Sequence, residues 1–166
     1  MLTLASRMRP IWPLLALLAS GAMLAAAHSF QRFGGLYPCP LCLDQRNWHW
    51  AVVVVSALSF GVLRLRPGFA RWLAALIGLV FVGSMGMALY HVAVEQHWVV
   101  AQCDARIDLN DLALDMDGPV VAPKCDEIAW QFAGISMAGF NAIISALLAL
   151  ASVAIALLPE RCQART

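Results

Sequence analysis

The residues best equipped for chemistry in this 166-residue chain are its cysteines. Cys39-Pro40-Leu41-Cys42 is a C-x-x-C pair. Gly34-Gly35 and Tyr37-Pro38 form a turn before it, so a helix is expected to begin around Pro40–Leu43. Proline suits a first helical turn, where its missing N–H costs nothing. The free amides and the dipole at that end favour an anion. A cysteine there should have a lowered pKa and more of the thiolate that attacks disulfides. Two other readings stay open. The pair could be half of a zinc site completed by Cys103 and Cys125, although those two are 22 positions apart rather than in a tight knuckle. It could also be a structural bridge, although so short a loop constrains little of the unfolded chain.

Cys103 and Cys125 bracket a second segment, rich in Asp104, Asp108, Asp111, Asp115 and Asp117 and broken by Gly118-Pro119 and Pro123. It reads either as a static loop staple or as a mobile redox pair that meets a soluble partner. Arg46 follows Cys42 by four residues and Cys39 by seven, which puts all three on one helical face. A guanidinium there could stabilise a thiolate or a developing oxyanion, or it could be an anchor at the headgroups. His91 could donate a proton to a reduced acceptor, or be an interfacial histidine satisfied by its neighbours. Glu95 lies one turn later. His28 and His49 are weaker candidates, and Met85 and Met87 are expected to pack.

The elements that hold these groups follow from the distribution of charge. The chain is 61% hydrophobic and 13% charged, too little charge to cover a soluble domain. No Asp, Glu, Lys or Arg occurs in 11–30, 47–63, 72–94 or 128–159. A bilayer core needs roughly 20 apolar residues per helix, with ~17 tolerated. The expected fold is therefore an all-α membrane protein, a four-helix transmembrane bundle forming one domain over 1–166. Its spans lie at about 11–30, 47–63, 72–92 and 136–158, joined by loops 31–46, 64–71 and 93–135. The first stretch is too long for the ~7–15-residue core of a signal peptide and is read as a span. There is no basic stripe with interleaved aromatics to suggest nucleic acid.

Orientation follows from the basic residues. Arg7, Arg9, Arg64, Arg66, Arg71, Arg161 and Arg165 fall on one side, and Arg32, Arg46, Arg106 and Lys124 on the other. The positive-inside bias places both termini and loop 64–71 in the cytoplasm. The four cysteines at 39, 42, 103 and 125 then face a potentially oxidising space, and Cys162 is an inner bystander. Trp12, Trp48, Trp50, Trp72, Trp98 and Trp130 all fall near span ends, where indoles prefer to sit. The last apolar stretch is too long for one span. Its first part, Ile128–Ile135 with Trp130 and Phe132, is expected to be a short interfacial helix in the second outer loop.

Taken together these residues resemble the disulfide bond formation protein B family, DsbB. Pro38-Cys39-Pro40-Leu41-Cys42 with Arg46, Tyr90-His91, Cys103-Asp104, and Cys125-Asp126-Glu127 leading into Trp130-Gln131-Phe132-Ala133-Gly134 and Met137 carry the resemblance. It implies an enzyme of the bacterial inner membrane, a protein-disulfide:quinone oxidoreductase facing the periplasm. A reduced DsbA-like thioredoxin-fold partner would attack a Cys103–Cys125 disulfide and form a mixed disulfide with Cys103. Cys125 would then exchange with Cys39–Cys42, and Cys42, beside a quinone (ubiquinone or menaquinone), would pass the electrons on through a charge-transfer complex. Arg46 would hold and polarise the quinone, with His91 in support. Glu95 departs from relatives that carry an amide there and is given no role. A partner disulfide of this type is strongly oxidising, at about −120 mV, so its reoxidation calls for a stronger acceptor than another thiol pair.

Two competing readings differ in what they expect. A vitamin K epoxide reductase-like protein would carry its loop pair before the C-x-x-C, the reverse of the order here. A non-enzymatic four-span subunit would hold both cysteine pairs statically oxidised.

Overall fold

A computed structural model describes residues 8–100, 103 and 124–158. The acidic stretch between Cys103 and Cys125, Cys162, and Arg7, Arg106, Arg161 and Arg165 lie outside the described residues. Four helices dominate: α1 (Trp12–Gly34), α2 (Pro40–Leu65), α3 (Ala70–Glu95) and α4 (Met137–Leu157). A 3-10 turn, Pro67–Phe69, joins α2 to α3. All four helices are long and apolar enough to cross a membrane, as the charge-free stretches predict.

Local chemistry sets the helix ends. Pro13 stands in the first turn of α1, and Gly35 closes the helix with a left-handed φ of 64°, its N–H reaching Phe30 O. Cys39 is the N-cap of α2. Its Sγ accepts from the Cys42 amide at 3.2 Å, with Pro40 next in the first turn. The helix thus begins seven residues before the charge-free run at Asn47, and its first two turns carry the polar groups of the site. Ser136 caps α4, its Oγ accepting from Gly139 N at 3.1 Å.

The interfacial helix expected at 128–135 is not there. Gln131–Phe132 and Ile135–Ser136 pair antiparallel, with Gln131 opposite Ser136 and Phe132 opposite Ile135. Ala133 (φ 52°) and Gly134 (φ 80°) make the two-residue turn. Positive φ at both central positions defines the hairpin turn whose twist matches paired strands, and it cannot belong to a right-handed helix. Trp130 does not lie flat on a surface. It packs between the ends of α1 and α4, with its ring centroid 5.3 Å from Phe30 and 6.2 Å from Phe140.

The core is built from small residues and a few large ones: Ala16, Val52, Ala74, Ile77, Phe81 and Ala149, with Trp12. Trp12, the first residue of α1, is buried against this core. Its Nε1 donates to Ser152 Oγ at 3.1 Å. Helices α3 and α4 approach closely where Gly78 faces Ser152. A Cβ at Gly78 would lie 2.8 Å from Ser152 Cβ. Small residues at such crossings let membrane helices reach van der Waals contact. Gly78→Val should force them apart at a cost of about 1–3 kcal/mol, as overpacking does. A thermal melt in detergent should show a lower Tm, and an unchanged Tm would mean that this crossing does not set the packing.

At the end remote from the cysteines, buried Arg9 closes the bundle. Its Nε donates to Ile155 O at 3.0 Å and its Nη2 to Leu158 O, so it caps the C-terminus of α4. Arg64 and Arg71 lie over the rings of Phe60 and Trp72 at the same end.

Candidate redox site and its cavity

Cys39 Sγ and Cys42 Sγ stand 2.6 Å apart at the start of α2 as free cysteines. The hydrogen bond to Cys42 and burial push the Cys39 thiol far above the ordinary thiol range. Cys103 and Cys125 form a disulfide. Buried Cys125 packs in one apolar cluster with Cys39, Leu41 and Val94, flanked by Cys42, Met87 and Cys103. Two cysteine pairs far apart in sequence thus become neighbours. While Cys103 and Cys125 are bonded to each other they cannot complete a set of four thiolate ligands. Among the described residues Cys39, Cys42 and His91 do converge, with ligand atoms within 4.8 Å of one another.

His91, on the last turns of α3, points Nε2 at Cys39 Sγ, 3.7 Å away. The Cys125 backbone carbonyl also lies within reach of the ring. Glu95, one turn on, is buried. Its Oε1 lies 4.0 Å from His91 Nε2, and its Oε2 accepts from Ser136 Oγ at 2.5 Å. Ser136 therefore ties α4 to α3 beside the cysteines while it also caps α4.

Arg46 is half-buried rather than extended to the surface. Its Nη1 donates to Gln31 Oε1 at 2.6 Å and its Nη2 to Ala27 O at 3.2 Å, so it bridges α2 to α1. A cavity of about 340 Å³ opens between α1, α2 and α4. Cys39, Cys42, Arg46, His91 and Glu95 line it at one end. Met23, Leu24, Phe30, Phe140, Ile144 and Trp130 supply an apolar wall. A mostly apolar cleft of this size with a few convergent polar groups has the form of a small-molecule site.

All six residues singled out from the sequence, Cys39, Cys42, Cys103, Cys125, Arg46 and His91, fall in this region. Sequence reasoning missed Gln45 and Asn141, ranked His49 a weaker candidate and gave Glu95 no role. Gln45, His49 and Asn141 are buried and hydrogen-bonded to one another or to His91, and Glu95 lines the cavity. The available signals were helical spacing from Cys42, which Gln45 and His49 follow by three and seven residues, and polarity inside apolar runs, which His49 and Asn141 interrupt. His28 is used up locally, its Nδ1 on Leu24 O at 2.7 Å. Met87 packs on the cysteine cluster, as expected.

A four-helix membrane bundle with two adjoining cysteine pairs at one end defines a membrane-embedded oxidoreductase of thiols and disulfides. The chain belongs to the disulfide bond formation protein DsbB family, whose model matches residues 8–155. Its relatives include disulfide bond formation protein B of Nitrosospira multiformis, 26% identical over 92% of this chain and 95% of that protein. Those of Idiomarina loihiensis and Marinobacter nauticus are 32% and 30% identical, covering 86% and 81% of this chain and 81% and 83% of theirs. No solved structure matches the chain significantly. Family membership sets aside the vitamin K epoxide reductase-like reading.

Proposed function

We propose that this protein reoxidises a periplasmic DsbA-like thiol oxidase and passes the electrons to membrane quinone. The supporting observation is the packing of Cys125 against Cys39, which makes exchange between the two pairs a matter of contact rather than of long-range motion. A thiolate of the reduced partner attacks Cys103 and breaks the Cys103–Cys125 bond. Cys125, released as a thiolate, attacks Cys39 of an oxidised Cys39–Cys42 pair and frees Cys42. The partner's second thiolate then displaces Cys103 and closes the partner disulfide. The freed Cys103 thiolate attacks Cys125 and displaces Cys39, which restores the outer disulfide and leaves Cys39 and Cys42 reduced. Each exchange breaks one S–S bond and makes another, so two electrons and two protons move inward from the partner dithiol.

The cavity fits a quinone ring. Its walls are apolar, Arg46 supplies a fixed donor suited to a carbonyl or oxyanion, and Cys42 opens onto it. A bound quinone supplies an acceptor for two electrons and two protons. Cys42 would deliver the electrons from its sulfur and Arg46 would hold a quinone oxygen, while His91 and Glu95 close the wall beside the pair. The positive-inside bias supports placing the basic end of the bundle, with Arg9, Arg64, Arg66 and Arg71, in the cytoplasm and the cysteine end towards the periplasm.

The test uses purified full-length protein in detergent with a reduced thioredoxin-fold oxidase and a soluble ubiquinone or menaquinone analogue. Quinone absorbance should fall only when both protein and partner are present, with one quinone consumed per partner disulfide formed. Wild-type protein that consumes no quinone, with both cysteine pairs inert to thiol trapping, would replace this reading by that of a static four-span subunit.

A further inference from the structure

A chain of buried hydrogen bonds runs from the redox pair into the middle of the bundle and has a direction. Asn141 Oδ1 receives two donors, His49 Nε2 at 2.8 Å and Ser145 Oγ at 3.1 Å. Its amide Nδ2 donates onward to Gln45 Oε1 at 2.6 Å. With its oxygen committed to Asn141, Gln45 turns its NH₂ to His91 Nδ1, 2.5 Å away. The far ends agree. His49 Nδ1 faces the Ser20 hydroxyl at 3.3 Å, and Ser84 Oγ lies 3.0 Å from Ser145 Oγ, whose own hydrogen is already given to Asn141. Gln45, His49, Asn141, Ser20, Ser84 and Ser145 are all buried.

An imidazole that accepts at Nδ1 while neutral carries its one proton on Nε2. We propose that Gln45, oriented by Asn141 and His49, is a positioning residue that holds His91 as the Nε2–H tautomer and aims that N–H at the redox pair. Nε2 is the nitrogen that faces Cys39 Sγ at 3.7 Å and Glu95 Oε1 at 4.0 Å. The opposite tautomer would turn a bare lone pair towards a sulfur that must carry negative charge during exchange. The role for turnover rests on the reading of this site as a thiol–quinone redox centre, but the tautomer does not.

Two-bond ¹⁵N–¹H correlation of the histidine rings tests it in the full-length protein, reduced, without quinone or partner. His91→Gln identifies the His91 signals. Wild-type His91 should show an unprotonated Nδ1 and a protonated Nε2. In Gln45→Glu, at a pH where the new side chain is ionised, it can only accept, so Nδ1 should become protonated. In Asn141→Leu the Gln45 amide loses its orientation, and the Nδ1 line should move part of the way. A protonated Nδ1 in wild type, or a line unmoved by Gln45→Glu, overturns the proposal. If Asn141→Leu fails to fold, wild type and Gln45→Glu still decide.

The second arm is quinone reduction. A wrong tautomer can cost a histidine-dependent enzyme as much as ~10⁴ in rate, so Gln45→Glu should lower kcat about 10- to 100-fold with KM for quinone unchanged. A moved Nδ1 line with kcat intact overturns the role in turnover. A wild type that reduces no quinone sinks the redox reading while the ring spectrum still stands or falls by itself.

Discussion

Cys42→Ser should abolish quinone reduction, by roughly 10³-fold or more, because the group lost is itself the reacting nucleophile. The substitution removes the one sulfur that both lines the cavity and pairs with Cys39. It should spare the fold, since the Cys42 amide, which Cys39 caps, is retained. The variant has a second signature. Cys39, deprived of its partner in α2, has buried Cys125 in its own cluster. The Cys39 thiolate can attack the Cys103–Cys125 disulfide at Cys125 and release Cys103 as the thiolate. The protein should therefore come to rest with Cys39 bonded to Cys125 and Cys103 reduced, a species that thiol trapping and mass spectrometry of non-reduced peptides would identify. Full turnover in Cys42→Ser would remove this cysteine from the electron path.

Arg46→Ala should raise KM for quinone about 10- to 100-fold, the equivalent of one hydrogen bond from a charged donor, ~1.5–3 kcal/mol. Truncation also removes the bridge from α2 to Gln31 and Ala27 on α1. A melt must therefore accompany the kinetics. A KM close to wild type with a lowered Tm would make Arg46 a strut between α1 and α2. Arg46→Lys should recover only part of the affinity. An ammonium is a point charge and cannot reproduce the planar fork that spans a side-chain and a main-chain oxygen at once.

The reactive residues were legible in the sequence because their chemistry is unusual. Cysteines three apart before a proline-marked helix start, with an arginine one turn on, have few bland explanations. The spans were legible because charge is absent from long stretches. Absence of charge measures where lipid is tolerated, however, and not where a helix begins. Cys39 and Pro40 start α2 in the polar segment that the charge-free windows assigned to a loop. The hairpin at 131–136 was missed for a related reason. Its residues are apolar enough for the membrane surface, and the left-handed Ala133-Gly134 turn outweighs that composition. The buried polar chain was hidden most deeply. Gln45 and Asn141 are 96 positions apart; Gln45 is one of several polar residues beside Asp44, Arg46 and Asn47, and Asn141 looks like a lone polar residue in an apolar run. Only the packing of α2 against α3 and α4 makes them partners.

The Arg9 cap has a consequence for biogenesis. Its acceptors are carbonyls 146 to 149 residues further along the chain. During synthesis the guanidinium is made first and its acceptors last, so the bundle cannot close at that end until α4 has entered the membrane. Until then this arginine must be held by water or lipid headgroups. A nascent chain that stops before Ile155 lacks all three of those acceptors, and its first basic end has no complete α4 to close against.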